Sequence, residues 1–180
     1  MHTKLFPFLL PLALAAFCRA ADTEWVLEQS TLTYHVSHKL HEAEGVSHAA
    51  KGKGVCQARQ CDFEIAVPVK SFDSGSASRD SHMLQVTRGA EFPTVTVRTR
   101  LPEDASASAS IHADLEIQFA GQTVQYPQVP FQVVTQGKRT RLSGTIPATV
   151  SDFKIVPPSL LGMKIKNEIP VHVEMTWQSQ

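Results

Sequence analysis

Residues 111–119, IHADLEIQF, alternate without a break: Ile111, Ala113, Leu115, Ile117 and Phe119 share one parity, with polar residues between them. Successive side chains of a strand point to opposite faces, so this run describes a strand with one apolar and one wet face. The same period recurs on both sides of it. Leu32, Tyr34, Val36 and His38 share a parity, as do Phe63, Ile65, Val67 and Val69. So do Val129, Phe131 and Val133, then Leu142, Gly144, Ile146 and Ala148, and finally Ile169, Val171, Val173, Met175 and Trp177. Turn-forming stretches divide these runs: QARQ, FDSGS, PEDASAS, AGQ, TQGK and VPP, and the run ASASAS at 105–110 reads as a flexible turn between strands.

The pattern predicts an all-β chain of about seven or eight strands. Helical spacing occurs only over Ser78–Thr87 and over Pro158–Ile165. Parallel βαβ units need helices of about 10–15 residues between strands, and none is present. Antiparallel neighbours joined by short turns must hide their edges, which closure into a barrel achieves. A barrel of about eight strands has an interior that side chains just fill, or that holds one slender ligand. A sandwich with a solid core has the same periodicity.

The N-terminus reads MHTKLFPFLLPLALAAFCRA, with Lys4 ahead of an uncharged, mostly apolar run from Leu5 to Phe17. A membrane-spanning helix needs about 20 apolar residues, and this run is shorter and carries Pro7 and Pro11. Residues 1–20 are therefore expected to be a signal peptide, and 21–180 a single exported domain. Acylation of Cys18 is the other reading, with the bulky Phe17 against it. The chain has 17 basic and 17 acidic residues; without residues 1–20 it keeps 15 basic against 17 acidic, a net of −2. That balance lacks the basic excess that a phosphate backbone demands, so nucleic acid is not an expected partner.

Two cysteines remain after the leader, in GVCQARQCDFEI. Cys56 and Cys61 lie where they can join two arms of a hairpin, and in an oxidising compartment that spacing predicts a disulfide. A redox or metal pair is the alternative.

The segment at 71–94, SFDSGSASRDSHMLQVTRGAEFPT, brings Arg79, Asp80 and His82 together. An enzyme would use Asp80 to orient His82 as a base. A structural account needs less: Ser78 caps a short helix, Asp80 meets the positive end of its dipole, and Met83 and Leu84 cover an apolar interior. Phe92 then anchors the return to the next strand. No G-x-S-x-G elbow, phosphate loop or dinucleotide fingerprint is present, so no catalytic residue and no cofactor is predicted. His35, His38, His41 and His48 form a histidine-rich start to the domain, and a metal-binding or redox accessory protein is the rival reading. On a straight strand, however, His38 faces away from His35 and His41.

The order S-x-L-x-Y-x-V-x-H at Ser30–His38, a hairpin, then SFDSGSASRD-x-HM followed by EFPTVTV, resembles the YceI-like family of exported lipid-binding proteins. The resemblance runs from Trp25 to Trp177 and includes DFKIVPPSLLGMKIKNEIPVHVEM. Its specific part is the R-D-x-H-M step followed by F-P and an alternating strand. GVSHAAKGKG departs from the family, with His48 and Ala50 where glycine and a large aromatic are more usual.

The resemblance implies a lipocalin-like antiparallel barrel of about eight strands with one or two short helices. In the periplasm or outside the cell, it would hold an amphiphile of polyisoprenoid or fatty-acyl type for transport, storage or stress protection, without catalysis. The residues expected to line that lumen are Leu32, Tyr34, Val36, Val67, Phe92, Val95, Val97, Leu115, Ile117, Phe119, Ile146, Val171 and Val173. His38, Arg79 and His82 are expected to meet a polar head group.

Overall fold

The alternating runs become strands, and the first and last described strands meet to close the sheet. The computed structural model describes residues 23–37, 42–157, 159–160 and 163–180, and of 159–160 and 163–164 the backbone only. The strands are β1 (Thr23–Ser37), β2 (Glu42–Ser47), β3 (Lys51–Gln57), β4 (Gln60–Pro68), β5 (Thr94–Pro102) and β6 (Ser110–Phe119). They continue with β7 (Gln122–Gln136), β8 (Arg139–Ile146), β9 (Ser159–Leu160), β10 (Met163–Lys164) and β11 (Val171–Ser179). One α-helix, α1 (Ala77–Val86), interrupts the series between β4 and β5.

The order around the sheet is β11-β8-β7-β6-β5-β4-β3-β1, and β1 also pairs with β11, so eight antiparallel strands form a closed barrel. β2 is an extra strand. β1 is long enough to pair through Thr23–Val26 with β3 and through Leu32–Ser37 with β2 on the same edge. Closure pairs the first and last described strands, the solution expected for an antiparallel sheet with an apolar face, although β5 and β6 pair only through Thr96–Arg98 and Glu116–Gln118.

A bulge in β1 between Leu27 and Gln29 resets the parity. Leu27 is buried before it, and Ser30 and Leu32 after it, so inward positions change from odd to even. The core gathers the inward residues of the strands, among them Leu32, Ile65, Val67, Leu115, Ile117, Phe131, Ile146, Val173 and Trp177. The outer face carries cross-strand ion pairs: Arg98 with Glu64 at 2.9 Å, Arg100 with Asp62 at 2.6 Å, Arg141 with Glu174 at 2.6 Å. Arg141, and then His172, hold the Glu174 carboxyl below its ordinary value. Exposed pairs of this kind contribute little individually.

Cys56 lies opposite Cys61 in the β3–β4 hairpin and the two are bonded, as the spacing predicts. Three local expectations are corrected. Of Pro158–Ile165 none of the described residues is helical; β9 and β10 pair antiparallel there. The serine run at 105–110 is not a loose turn. Glu103–Ala107 form a 3₁₀ turn tied to β7 through Thr135 Oγ1, which donates to Ser106 O at 2.6 Å. Finally, the residue preceding α1 is Ser76, not Ser78, and its side chain makes no capping hydrogen bond.

Candidate functional site

The barrel is not filled at the end where α1 crosses it. A cavity of about 380 Å³ lies there, walled by Leu32, Tyr34 and Val36 of β1, Val67 of β4, Val95 and Val97 of β5, Ile117 and Phe119 of β6, Ile146 of β8 and Val171 of β11. All ten are among the residues expected to face inward. Ligand sites commonly enclose about 300–1,000 Å³ behind mostly apolar walls, so this space is within the useful range. A second cavity of about 120 Å³ lies further down the barrel. Leu115 and Val173 line this smaller space and not the larger one. Leu32, Val67, Val97 and Ile146 border both.

Helix α1 forms the cover. Arg79, His82, Met83 and Val86 line the large cavity, a spacing of i, i+3, i+4 and i+7 that marks one face of a helix. No residue of α1 is fully buried, so it rests across the mouth without entering the core. Leu84, expected over the interior, packs instead against Gly89. Its position between Met83 and Gln85 turns it away from the 79-82-83-86 stripe.

The Arg79–Asp80–His82 cluster resolves into two functions. Asp80 Oδ1 accepts from Ser74 N at 3.1 Å and Ser74 Oγ at 2.6 Å, fastening the preceding loop to the first turn of the helix. Arg79 Nη2 donates to Ser74 O at 2.7 Å, and its Nε donates to Ser74 Oγ at 3.3 Å. Among the described residues no hydrogen bond joins Asp80 to His82, so the carboxylate does not orient that imidazole. His82 itself makes no hydrogen bond among the described residues and borders the cavity.

Tyr34 stands beneath the same turn, its ring 5.5 Å from that of Phe72 and laid across Gly45 of β2. A β-carbon at Gly45 would collide with the phenol, so glycine there admits the ring. Burial raises the Tyr34 pKa; the Asp80 charge adds to the effect and Arg79 opposes it. The cavity mouth therefore presents a neutral phenol, a guanidinium and an imidazole against an otherwise apolar wall.

Phe92 does not line either cavity. It packs over Gly121 in the β6–β7 turn, with the Arg88 guanidinium 4.6 Å from its ring centre. Arg88 also donates to Ala120 O, so this pair clamps the C-terminal end of the helical segment to the barrel rim. Gly121 has φ +76°, and its open face accommodates the ring.

A part of the wall that alternation does not reveal comes from residues 148–155. Val150, Phe153 and Ile155 line the same cavity from around a 3₁₀ turn at Ser151–Phe153. Tyr126 holds this turn by donating to Asp152 Oδ2 at 2.9 Å. Burial above all, then the Asp152 hydrogen bond, push the Tyr126 pKa up to about 12. The legible signal was the apolar triplet Val150, Phe153 and Ile155 within TVSDFKIV, which has no strand period.

The histidines do not converge. His35 Nδ1 lies 3.0 Å from Glu44 Oε1 across the β1–β2 pair. His48 Nδ1 lies 3.1 Å from Ser30 O and 3.2 Å from Thr31 Oγ1. These anchor points are four residues apart along β1, roughly 13 Å, too far for the two rings as placed to share one ion. His38 and His41 lie outside the described residues, as does the expected signal peptide at 1–20. Among the described residues no group of three or more histidine, cysteine or carboxylate side chains is arranged to hold a metal, and no helix is long and apolar enough to cross a membrane.

The barrel has several structural likenesses. A polyisoprenoid-binding domain from Saccharophagus degradans superposes with a TM-score of 0.72 at 14% identity, covering 87% of this chain and 98% of that one. BcnA of Burkholderia cenocepacia gives 0.69 at 13% identity, with 82% and 95% covered. A YceI protein of Campylobacter jejuni gives 0.52 at 13%, with 66% and 72% covered. At these identities the likeness is one of fold. Among curated proteins no sequence matches. The profile of the YceI-like domain matches residues 25–177, nearly the whole barrel, and the chain thus belongs to the YceI-like family.

Proposed function

We propose that the barrel holds the apolar chain of an amphiphile, of polyisoprenoid or fatty-acyl type, and carries or stores it without chemical change. The observation that carries this reading is the cavity of about 380 Å³ beneath α1, apolar along its walls and polar only at its mouth. Ten of the residues predicted to face a lumen border that space. The Saccharophagus degradans likeness to a polyisoprenoid-binding domain supports the ligand class.

Removing a methylene from water is worth about 0.8 kcal/mol, so a ten-carbon stretch supplies roughly 8 kcal/mol before ordering costs. Arg79 keeps donors beyond those given to Ser74, and His82 adds a titratable group, so the head group would lie against α1. The Cys56–Cys61 bond and the apolar leader favour an exported, periplasmic setting. Native mass spectrometry of the protein from an exporting host, with solvent extraction of its contents, tests the reading. A retained acyl or isoprenoid mass is expected. An empty protein that also refuses such lipids on addition overturns it.

A further inference from the structure

The two cavities of about 380 and 120 Å³ share four bordering residues, Leu32, Val67, Val97 and Ile146. These come from β1, β4, β5 and β8, strands distributed around the barrel. Neighbouring inward residues separate cleanly on either side of them. On β5, Val95 faces only the upper space and Thr99 only the lower; on β6 and β11, Ile117 and Val171 face up while Leu115 and Val173 face down. The four shared side chains thus form one layer of the barrel interior.

We propose, resting on the lipid-holding reading above, that this layer is a waist that sets the length of the tail the protein accepts. An amphiphile with a single apolar chain fills the upper chamber, its head at α1, and its end stops at the waist. Two physical features make the layer a stop. Three of its four members, Val67, Val97 and Ile146, are β-branched and stiff at χ1 and do not swing aside, which leaves Leu32 as the flexible member. Below the waist, the Thr99 hydroxyl is buried and meets no hydrogen-bond partner. That hydroxyl is already shut off from water, so a tail reaching this level meets a wall that is polar at Thr99 and gains less there than against valine.

The test is a titration of the wild-type protein with saturated fatty acids from octanoate to arachidate, each below its aggregation threshold. Affinity is expected to rise about four-fold per added methylene and then stop rising at one chain length. Val97→Ala, at a half-buried position, should move that break to a longer acid. Thr99→Val keeps the shape of the side chain and so should preserve the fold. It is expected to raise affinity only for acids beyond the wild-type break. A rise that continues unbroken to arachidate, or a break that stays at the same acid in both variants, overturns the waist. If Val97→Ala does not fold, Thr99→Val decides alone. Refusal of every acid by the wild-type protein defeats the lipid-holding reading itself, and the waist with it, an outcome distinct from binding without a break.

Discussion

The two ends of the barrel are built by opposite rules. At the end that contains the disulfide, Trp177 meets Phe63 edge-on at 5.1 Å between ring centres, Phe63 lies 6.4 Å from Trp25, and Trp177 covers Gly52. The space left there is the smaller cavity of about 120 Å³, which Trp25, Cys61, Phe63 and Trp177 border, and the Cys56–Cys61 bond crosses the hairpin beside it. At the other end the wall is made of valines, isoleucines and a helix with no fully buried residue. Native interiors are close-packed, and unfilled apolar space forfeits dispersion contacts. One end is therefore the more tightly packed, while the other gives up more packing for the larger cavity.

That contrast can be broken at several points. The largest effect is expected from Trp177→Ala, which should cost about 3–5 kcal/mol in urea unfolding. Met83→Ala over the cavity should cost roughly 1 kcal/mol or less in the same assay, because its side chain faces open space. Equal costs would erase the distinction between the ends. Next comes the disulfide: replacing Cys56 and Cys61 together by serine should cost about 2 kcal/mol, the low end expected of a short loop. Lipid retention by the double variant, read by native mass spectrometry, should be unchanged; loss of ligand would show that the two ends are coupled.

Tyr126→Phe should cost about 1 kcal/mol by removing the hydrogen bond to Asp152. The phenol also gives a pH signature. Its pKa in the folded protein, about 12, lies above the ordinary 10, so its contribution is complete below pH 10 and is lost as pH rises toward 12. Thermal unfolding between those values should show an alkaline decline that shrinks in Tyr126→Phe. The smallest effect on stability, roughly 0.5 kcal/mol or less, is expected for Arg79→Ala, since its bonds to Ser74 are exposed. Its measurable consequence should be weaker binding of amphiphiles with anionic heads and little change for neutral ones.

How much of this was legible in advance depends on whether a residue obeys the strand period. Ile117, Val97 and Ile146 sit on uninterrupted runs, and the sequence alone assigned them to the inner face. Parity across the first strand was harder, because the bulge at Leu27–Gln29 reverses it and leaves no compositional mark. Phe92 was misplaced for a different reason. An aromatic beside a strand reads as core, yet Gly121 offers it a flat seat on the rim and Arg88 a partner. Val150, Phe153 and Ile155 follow no period because their backbone is a 3₁₀ turn held by Tyr126, a contact between positions 26 residues apart. The 79-82-83-86 stripe was readable, but Leu84 competed with it on hydrophobicity alone. Long-range contacts and single-residue irregularities are what periodicity cannot express.

The closing pair of the barrel joins β1 to β11, the first and last described strands. The lumen is consequently a late event in the life of the chain. Until residues 171–179 have been delivered and have found their partners in 25–34, there is an open, curved sheet with an exposed apolar face and two free edges. Non-local closure of this kind is slow compared with hairpin formation. A ligand that requires the enclosed cavity therefore meets a closed barrel and never the growing sheet.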